Sequence, residues 1–409
     1  MVYNQKTTVL DSFVDPRAPI CYGILKPGEH VSEGIPVIKV KNIIGGRVLE
    51  DDLLKTSLQI HNQYKRAEVN QGDLLLTIRG TTGRVAIVPA SLAGANITQD
   101  TARIRVSSDD DPMYVFYALQ SPSVQQQIDL NTVGQAVKGI NIAEVRKLKI
   151  FHPDASEQKK IVQILSTWDK AITTTEQLLA NSLQQKKALM QQLLTGKNRL
   201  LDKNGVRFSG EWKVSKLSKL FARVTTKNNG QSTNVVTISG QHGLIRQEDF
   251  FKKTVASETL DGYFLLKQGQ FAYNKSYSNG YPMGAIKRLN RYPDGVVTTL
   301  YICFELSDSG RADSDFWEHY FESGLLNKGL SQIAHEGGRA HGLLNVKPSD
   351  FFSLKVSTPS FEEQQRIAAV LSTADQEISA LQQKLDALKQ EKKALMQQLL
   401  TGKLRVLVS

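Results

Sequence analysis

KKALMQQLLTGK at Lys186–Lys197 returns unchanged at Lys392–Lys403, 206 positions further along a chain of 409 residues. The match runs upstream at the same offset without a gap. Pro153 answers Pro359, Glu157-Gln158 answers Glu363-Gln364, and Leu165-Ser166-Thr167-x-Asp169 answers Leu371-Ser372-Thr373-x-Asp375. An internal repeat of this length decides the architecture, because each copy must be the same structural unit in its own half of the chain. Both copies carry helix punctuation. A proline closes the preceding segment, Asp154-x-x-Glu157 and Ser360-x-x-Glu363 have capping-box spacing, and Gly196 and Gly402 stand where a left-handed C-terminal cap belongs. Ser166 and Ser372, each followed three residues later by Asp, predict a second cap after a bend, hence a short helix feeding a long one.

The long part has a narrow apolar stripe. In the second copy Ile378, Leu381, Leu385, Leu388, Leu395 and Leu399 occupy heptad a and d positions, with Lys392 at one a site. In the first, Ile172, Leu179, Leu189 and Leu193 hold equivalent places, Lys186 repeats the polar one, and Thr175 and Ser182 replace two leucines. From Asp169 to Gly196 such a helix is about 40 Å long at 1.5 Å per residue. The competing reading is an independent core helix in each half. A stripe this narrow, flanked by Gln and Lys, suits a seam between the two copies better.

Composition bounds the rest. The chain carries 51 Lys and Arg against 40 Asp and Glu, a formal charge of +11, which favours a polyanionic partner, most simply nucleic acid. Ribosomal proteins and heparin binders share that surplus. No 18-residue apolar run occurs and MVYNQKTTVLDSF has no signal-like apolar core, so a cytoplasmic protein without membrane contact is expected. Cys21 and Cys303 lie in different halves and form no C-x-x-C, so neither a disulfide framework nor a thiolate zinc site is implied.

Taken in order, residues 1–153 read as one mixed domain, with strands at Ile35–Val40, Leu74–Ile78 and Arg84–Val88, glycine turns at Gly45-Gly46 and Gly80 to Gly83, and a helix beginning at Asp111-Pro112. Residues 154–197 form the first repeat helix. Residues 198–359 begin with a polar, glycine-containing linker (Asn198 to Gly210) and repeat the layout, with strands at Val235–Ser239, Gln270–Tyr273 and Gly284–Arg288. Residues 360–409 form the second helix and a tail. Gly134-Gln-Ala-x-x-Gly139 resembles Gly338-Arg-Ala-x-Gly342, and each leads to an Asn (Asn141, Asn345). The helices are copied closely while the domains diverge, as expected of two domains that bind different things on one scaffold.

Catalytic patterns are sparse. His335 with His341 lacks a third ligand at metal spacing. Asp154, Glu157 and Lys159 imitate a nuclease carboxylate signature across a helix start, where a cap uses them better, and Thr195-Gly196-Lys197 lacks the upstream glycine of a phosphate loop. No G-x-S-x-G, H-E-x-x-H or dinucleotide-binding glycine pattern occurs.

The layout of domain, long helix ending in L-x-x-L-L-T-G-K, second domain and second such helix resembles the specificity subunit of type I restriction-modification systems. The resemblance covers almost the whole chain, and rests on the two E-Q-x-x-I-x-x-[IV]-L-S-T-x-D segments, the paired KKALMQQLLTGK ends and the GEWKVSKL lead-in at Gly210–Leu217. Met1 to Phe13 departs from it as a shortened, different lead-in. The resemblance implies an α+β protein with two mixed α/β target recognition domains in tandem, separated and followed by long helices packed as an antiparallel coiled-coil spacer. It implies that each domain reads one half of a bipartite double-stranded DNA target, and that the spacer fixes half-site separation and docks methyltransferase (modification) subunits. The chain itself is then non-catalytic and without cofactor. AdoMet, ATP and Mg belong to the methyltransferase and restriction subunits. By type and loop position, the candidates for DNA contact are Arg79, Thr81, Thr82, Arg84 and Lys138 in the first domain, and Lys275, Tyr277, Asn279, Arg339 and His341 in the second. The competing readings are a coiled-coil scaffold or adaptor without sequence-specific DNA binding, and a nuclease or methyltransferase with degenerate motifs.

Overall fold

The computed structural model describes residues 7–135, 138–240, 242–250, 259–336 and 344–407. Each repeat copy forms one unbroken helix, Ala155–Leu193 and Phe361–Leu399, each of 39 residues and about 58 Å at 1.5 Å per residue. The expected bend is absent from both. Ser166 instead donates back to the Gln163 carbonyl (3.1 Å), and Thr167 donates to the same carbonyl (2.8 Å). A hydroxyl satisfied within its own helix has no need to start a new one. Ser372 is engaged by His319 (3.1 Å). Both helices end as expected, with Gly196 and Gly402 in the left-handed region (φ +69° and +71°). Any side chain there would also meet an aromatic ring, Trp212 against Gly196 and Phe151 against Gly402.

The chain folds as two compact units: residues 1–176 with 383–409, and residues 177–382. In the first, the described strands form a sheet in the order Cys21–Tyr22, Thr101–Ile104, Leu74–Thr77, Val85–Ile87, Arg47–Val48 and Ile43–Ile44. A smaller sheet runs Leu54–Thr56, Ile35–Ile38, Asn96–Ile97. The turn between Ile43–Ile44 and Arg47–Val48 needs positive φ at both residues, which Gly45 (+58°) and Gly46 (+82°) supply. The helix Pro112–Gln120 starts at Asp111, whose carboxylate accepts the Met113 amide (2.8 Å). Its buried face, Tyr114, Val115, Tyr117, Ala118 and Leu119, packs on one core with Leu10, Phe13, Leu74 and Leu76.

In the second unit the corresponding sheet is Phe221–Val224, Ile302–Leu306, Phe271–Asn274, Ala285–Arg288. Its core is aromatic: Phe221 and Phe321 pack against Trp317 of the helix Ser314–Glu322, Phe304 packs against Phe221, and Phe271 packs against Phe321. The two lead-ins prove alike in role despite unlike sequences. Thr7–Val9 pairs with Lys149–Phe151, and Lys213–Lys216 pairs with Lys355–Thr358, so each domain is closed by a ribbon at the root of a long helix.

The seam residues divide between the units. Within the first unit, Ile172, Leu388 and Leu395 are half-buried and Leu385 and Leu399 buried; within the second, Leu179, Leu189, Ile378 and Leu381 are half-buried and Leu193 buried. The helix ends also enter the domain cores. Met396, Leu399 and Leu400 pack with Ile161, Leu165 and the first domain, whereas Met190, Leu193 and Leu194 pack with Ile367, Leu371 and the second. The stripe is thus a two-helix seam that becomes domain core at its ends. No helix among the described residues is long and apolar enough to cross a membrane.

Candidate nucleic-acid interface

In the first unit the candidate loop is the turn between the strands Leu74–Thr77 and Val85–Ile87. Thr77 organises it: its carbonyl accepts the Gly83 amide (2.9 Å) and its hydroxyl accepts the Arg84 amide (2.9 Å). Gly80 and Gly83 take the left-handed conformations that the reversal requires (φ +73° and +86°). Arg79 and Thr81 are exposed, and Thr82 is half-buried with its hydroxyl 3.5 Å from that of Thr132. Exposed Lys138 is brought alongside because its carbonyl accepts the Gly80 amide (2.9 Å). Four of the five candidates therefore stand together. Arg84 differs, since its guanidinium turns back to donate to the Ile43 carbonyl (3.2 Å). Arg79 donates to Gln99 Oε1 (3.2 Å).

In the second unit Lys275 follows the strand Phe271–Asn274. It is half-buried, which holds its ammonium below the usual lysine range. Tyr277 is 63% exposed and Asn279 is exposed beside Gly280, whose φ of +85° makes the turn. The turn is anchored by Tyr281, whose hydroxyl donates to the Gly240 carbonyl (2.9 Å) and accepts from Lys287 (2.9 Å). Arg339 and His341 lie outside the described residues. Among the described residues no group of three His, Cys, Asp or Glu is placed to hold a metal ion.

The repeated polar residues make repeated bonds. In each unit the root of one long helix is tied to the far end of the other. In the second unit Arg199 closes a two-toothed fork on Glu363 (2.5 and 2.7 Å), a carboxylate whose residue is 1% exposed, and lies over the Trp212 ring. In the first, Arg405 does the same to Glu157 (2.9 and 2.6 Å) and lies over Phe151. Further along, Lys186 bonds Asp375 in the second unit and Lys392 bonds Asp169 in the first. As one partner's number rises the other's falls, so the helix segments run antiparallel within each unit. Gln158 and Gln364 bind the domain to the helix root: each accepts a backbone amide, of Asp111 (2.9 Å) and Asp313 (3.0 Å), and donates to the carbonyl of Pro153 or Pro359 (3.1 Å each).

These pairs correct one expectation. Asp154 and Ser360 do cap, accepting the amides of Glu157 (2.9 Å) and Glu363 (3.3 Å). The Glu carboxylates, however, go to the arginines and not back to the cap. A guanidinium fork satisfies both oxygens of a buried carboxylate, which one backbone amide cannot. Sequence reasoning overlooked Arg199 and Arg405, although they stand at the same 206-residue offset as everything else in the repeat. It assigned Lys186 and Lys392 only as polar breaks in the stripe.

Comparison with known proteins follows the same lines. Residues 26–184 match the type I restriction modification DNA specificity domain. The specificity subunit of the type I restriction enzyme EcoBI of Escherichia coli is 31% identical over 188 residues, 46% of this chain and 40% of that relative, so this match spans less than half of the relative's length. The specificity subunit of the MjaVIII enzyme of Methanocaldococcus jannaschii is 23% identical over 388 residues, 88% of this chain and 84% of its own length. The crystal structure of the S subunit of a type I restriction-modification system from M. genitalium superposes with a TM-score of 0.54 at 15% identity, over 98% of each chain. By fold, then, this is a duplicated α+β protein of paired domains and paired long helices. The chain is similar to the specificity subunits of type I restriction-modification systems, with the DNA specificity domain matched over residues 26–184.

Proposed function

We propose that each of the two units reads one half of a bipartite double-stranded DNA sequence, and that the paired helices set the gap between the halves and dock methyltransferase subunits. The observation that carries this reading is the contrast between the halves. The clasps Arg199–Glu363 and Arg405–Glu157 are the same in both, while the loops that follow corresponding strands differ entirely: Arg79-Gly-Thr-Thr in one, Lys275-Ser-Tyr-Ser-Asn in the other. A fixed frame with two different reading surfaces is what a two-part target requires, because groove segments are engaged together only when the frame matches the helical repeat of DNA. Lysines and arginines meeting phosphates supply most of the affinity, and side chains at base edges supply the choice of sequence. The chain performs no chemistry in this reading. Partner methyltransferase and restriction subunits bring AdoMet, ATP and Mg, in the cytoplasm where the DNA is.

The test is selection from a random duplex pool by this chain reconstituted with its methyltransferase subunits. Enrichment of one motif with two unlike halves at constant spacing is the expected result. An assembled complex that enriches no sequence identifies a scaffold and refutes the proposal.

A further inference from the structure

The first unit contains a cleft of about 790 Å³ that the candidate loop only partly describes. Four parts of the chain meet there: the strand end at Tyr22 to Leu25, the turn at Ile78-Arg79, the link at Gln99-Asp100, and Val133 with Gly139 to Ile142. Backbone bonds fix the convergence. Gln99 donates to the Ile24 carbonyl (2.9 Å), the Ile78 and Arg79 amides donate to the Asp100 carbonyl (2.8 and 3.3 Å), and Ile140 donates to the Ile78 carbonyl (2.9 Å). The cleft is therefore preformed by main chain, and its side chains are held from behind.

Its polar lining is mixed in sign. Arg79 spends one N–H on Gln99 Oε1 (3.2 Å), and Asn141 spends its side-chain oxygen capping the Ala143 amide (3.1 Å). The amide nitrogens of Gln99 and Asn141 and the carboxylate of Asp100 make no side-chain bond to any described residue. What remains facing outward is a guanidinium, two amide donors and one carboxylate acceptor. A phosphate would find Asp100 in its way. A base-pair edge, which alternates donors and acceptors, suits the set: guanidinium for guanine, carboxamide for adenine, carboxylate for the cytosine amino group. Tyr22, Leu25 and Val133, exposed by 39%, 50% and 74%, add apolar surface of the kind that meets a thymine methyl. Lys138 stands just outside, where a phosphate contact belongs.

We propose that this cleft is where the first unit reads base edges, and that Gln99, Asp100 and Asn141 are specificity-determining residues beside Arg79, while Arg84 reads no base. The assignment rests on the reading of this chain as a two-part DNA reader, and adds to it which side chains choose the bases.

Isosteric variants test it, because Gln99→Glu keeps the oxygen that accepts from Arg79 and Asn141→Asp keeps the capping oxygen. Each chain is expressed with its methyltransferase subunit in a host free of DNA methylation, the adenine methylation is mapped, and assembly is followed by gel filtration. With the complex intact, each variant is expected to cut methylation at the original motif roughly tenfold to hundredfold, the span of one good base contact. The change is expected to alter or relax one position in one half, with the other half unchanged and Arg84→Ala keeping the wild-type motif. Unchanged motif and rate for both variants overturn the proposal while leaving the two-part reading in place. Loss of assembly with an unchanged motif also overturns it, and makes the cleft a protein-docking surface. A wild-type map without a two-part motif would remove the functional reading itself, and this assignment with it.

Discussion

Replacing Arg199 with Ala tests the clasp that joins the tail of the first long helix to the root of the second. Glu363 is 1% exposed and receives both teeth of the Arg199 fork. Without the arginine, a carboxylate is left buried with only the cap geometry at Ser360 nearby. Removing one partner of a buried ion pair costs about 3–5 kcal/mol. The Arg199 side chain retains 19% of its exposure, so water can enter part of the space, and the low end, about 3 kcal/mol, is expected. In a unit of this size that lowers the melting temperature by about 6–12 °C, at 2–4 °C per kcal/mol. Adding Glu363→Gln removes the stranded charge, so the double variant is expected to recover at least about 1 kcal/mol. Urea unfolding followed by tryptophan fluorescence is a suitable assay, since Trp212 and Trp317 both lie in this unit. A shift under about 0.5 kcal/mol for Arg199→Ala, or a double variant as unstable as the single, would refute the clasp.

Leu193→Ala and Leu399→Ala, each at a residue 1% exposed, should cost about 2–5 kcal/mol and unfold first the second and first unit respectively, as hydrogen exchange resolved by unit would register. Leu189→Asp and Leu395→Asp place a charge at half-buried seam positions and should each destabilise by several kcal/mol; an unchanged melting temperature would remove the seam from the account. His319 is buried beside Ser372, Asp375 and Lys186, and burial, reinforced by Lys186, holds its pKa below the usual 6.5. A depressed histidine pKa means the unfolded chain takes up its proton first. Stability of the second unit is therefore full above pH 6.5 and declines as pH falls below it, and His319→Gln should flatten that decline in a pH series of urea midpoints. Replacing Arg79 with Ala should weaken recognition of one half-site alone, measured by competition with oligonucleotides altered in either half.

The duplication was legible because a constant offset over identical residues admits one interpretation, and helix ends were legible from Gly196 and Gly402 because only glycine takes their conformation cheaply. Strands such as Leu74–Thr77 and Phe271–Asn274 were found from short apolar runs introduced by glycine. The supposed bend misled because Ser166 has two uses for its hydroxyl, and only the surrounding structure decides between starting a helix and bonding back within one. The clasp partners of Glu157 and Glu363 escaped because capping-box spacing offered a local explanation, whereas the true partners lie 248 and 164 residues away. In the loops, residue type located the right turn but not the direction of each side chain. Arg79 and Arg84 are five positions apart in one turn, yet Arg84 is held against the Ile43 carbonyl and Arg79 borders the cleft.

The central claim is that two unlike reading domains on a duplicated frame specify one two-part DNA sequence. Long-read mapping of methylated adenine in DNA from a methylation-free host, expressing this chain with the methyltransferase subunit proposed as its partner, addresses it most directly. The account predicts modification at a single motif of two unlike halves separated by a fixed gap. A blank map from cells in which the stable complex can be purified would contradict it.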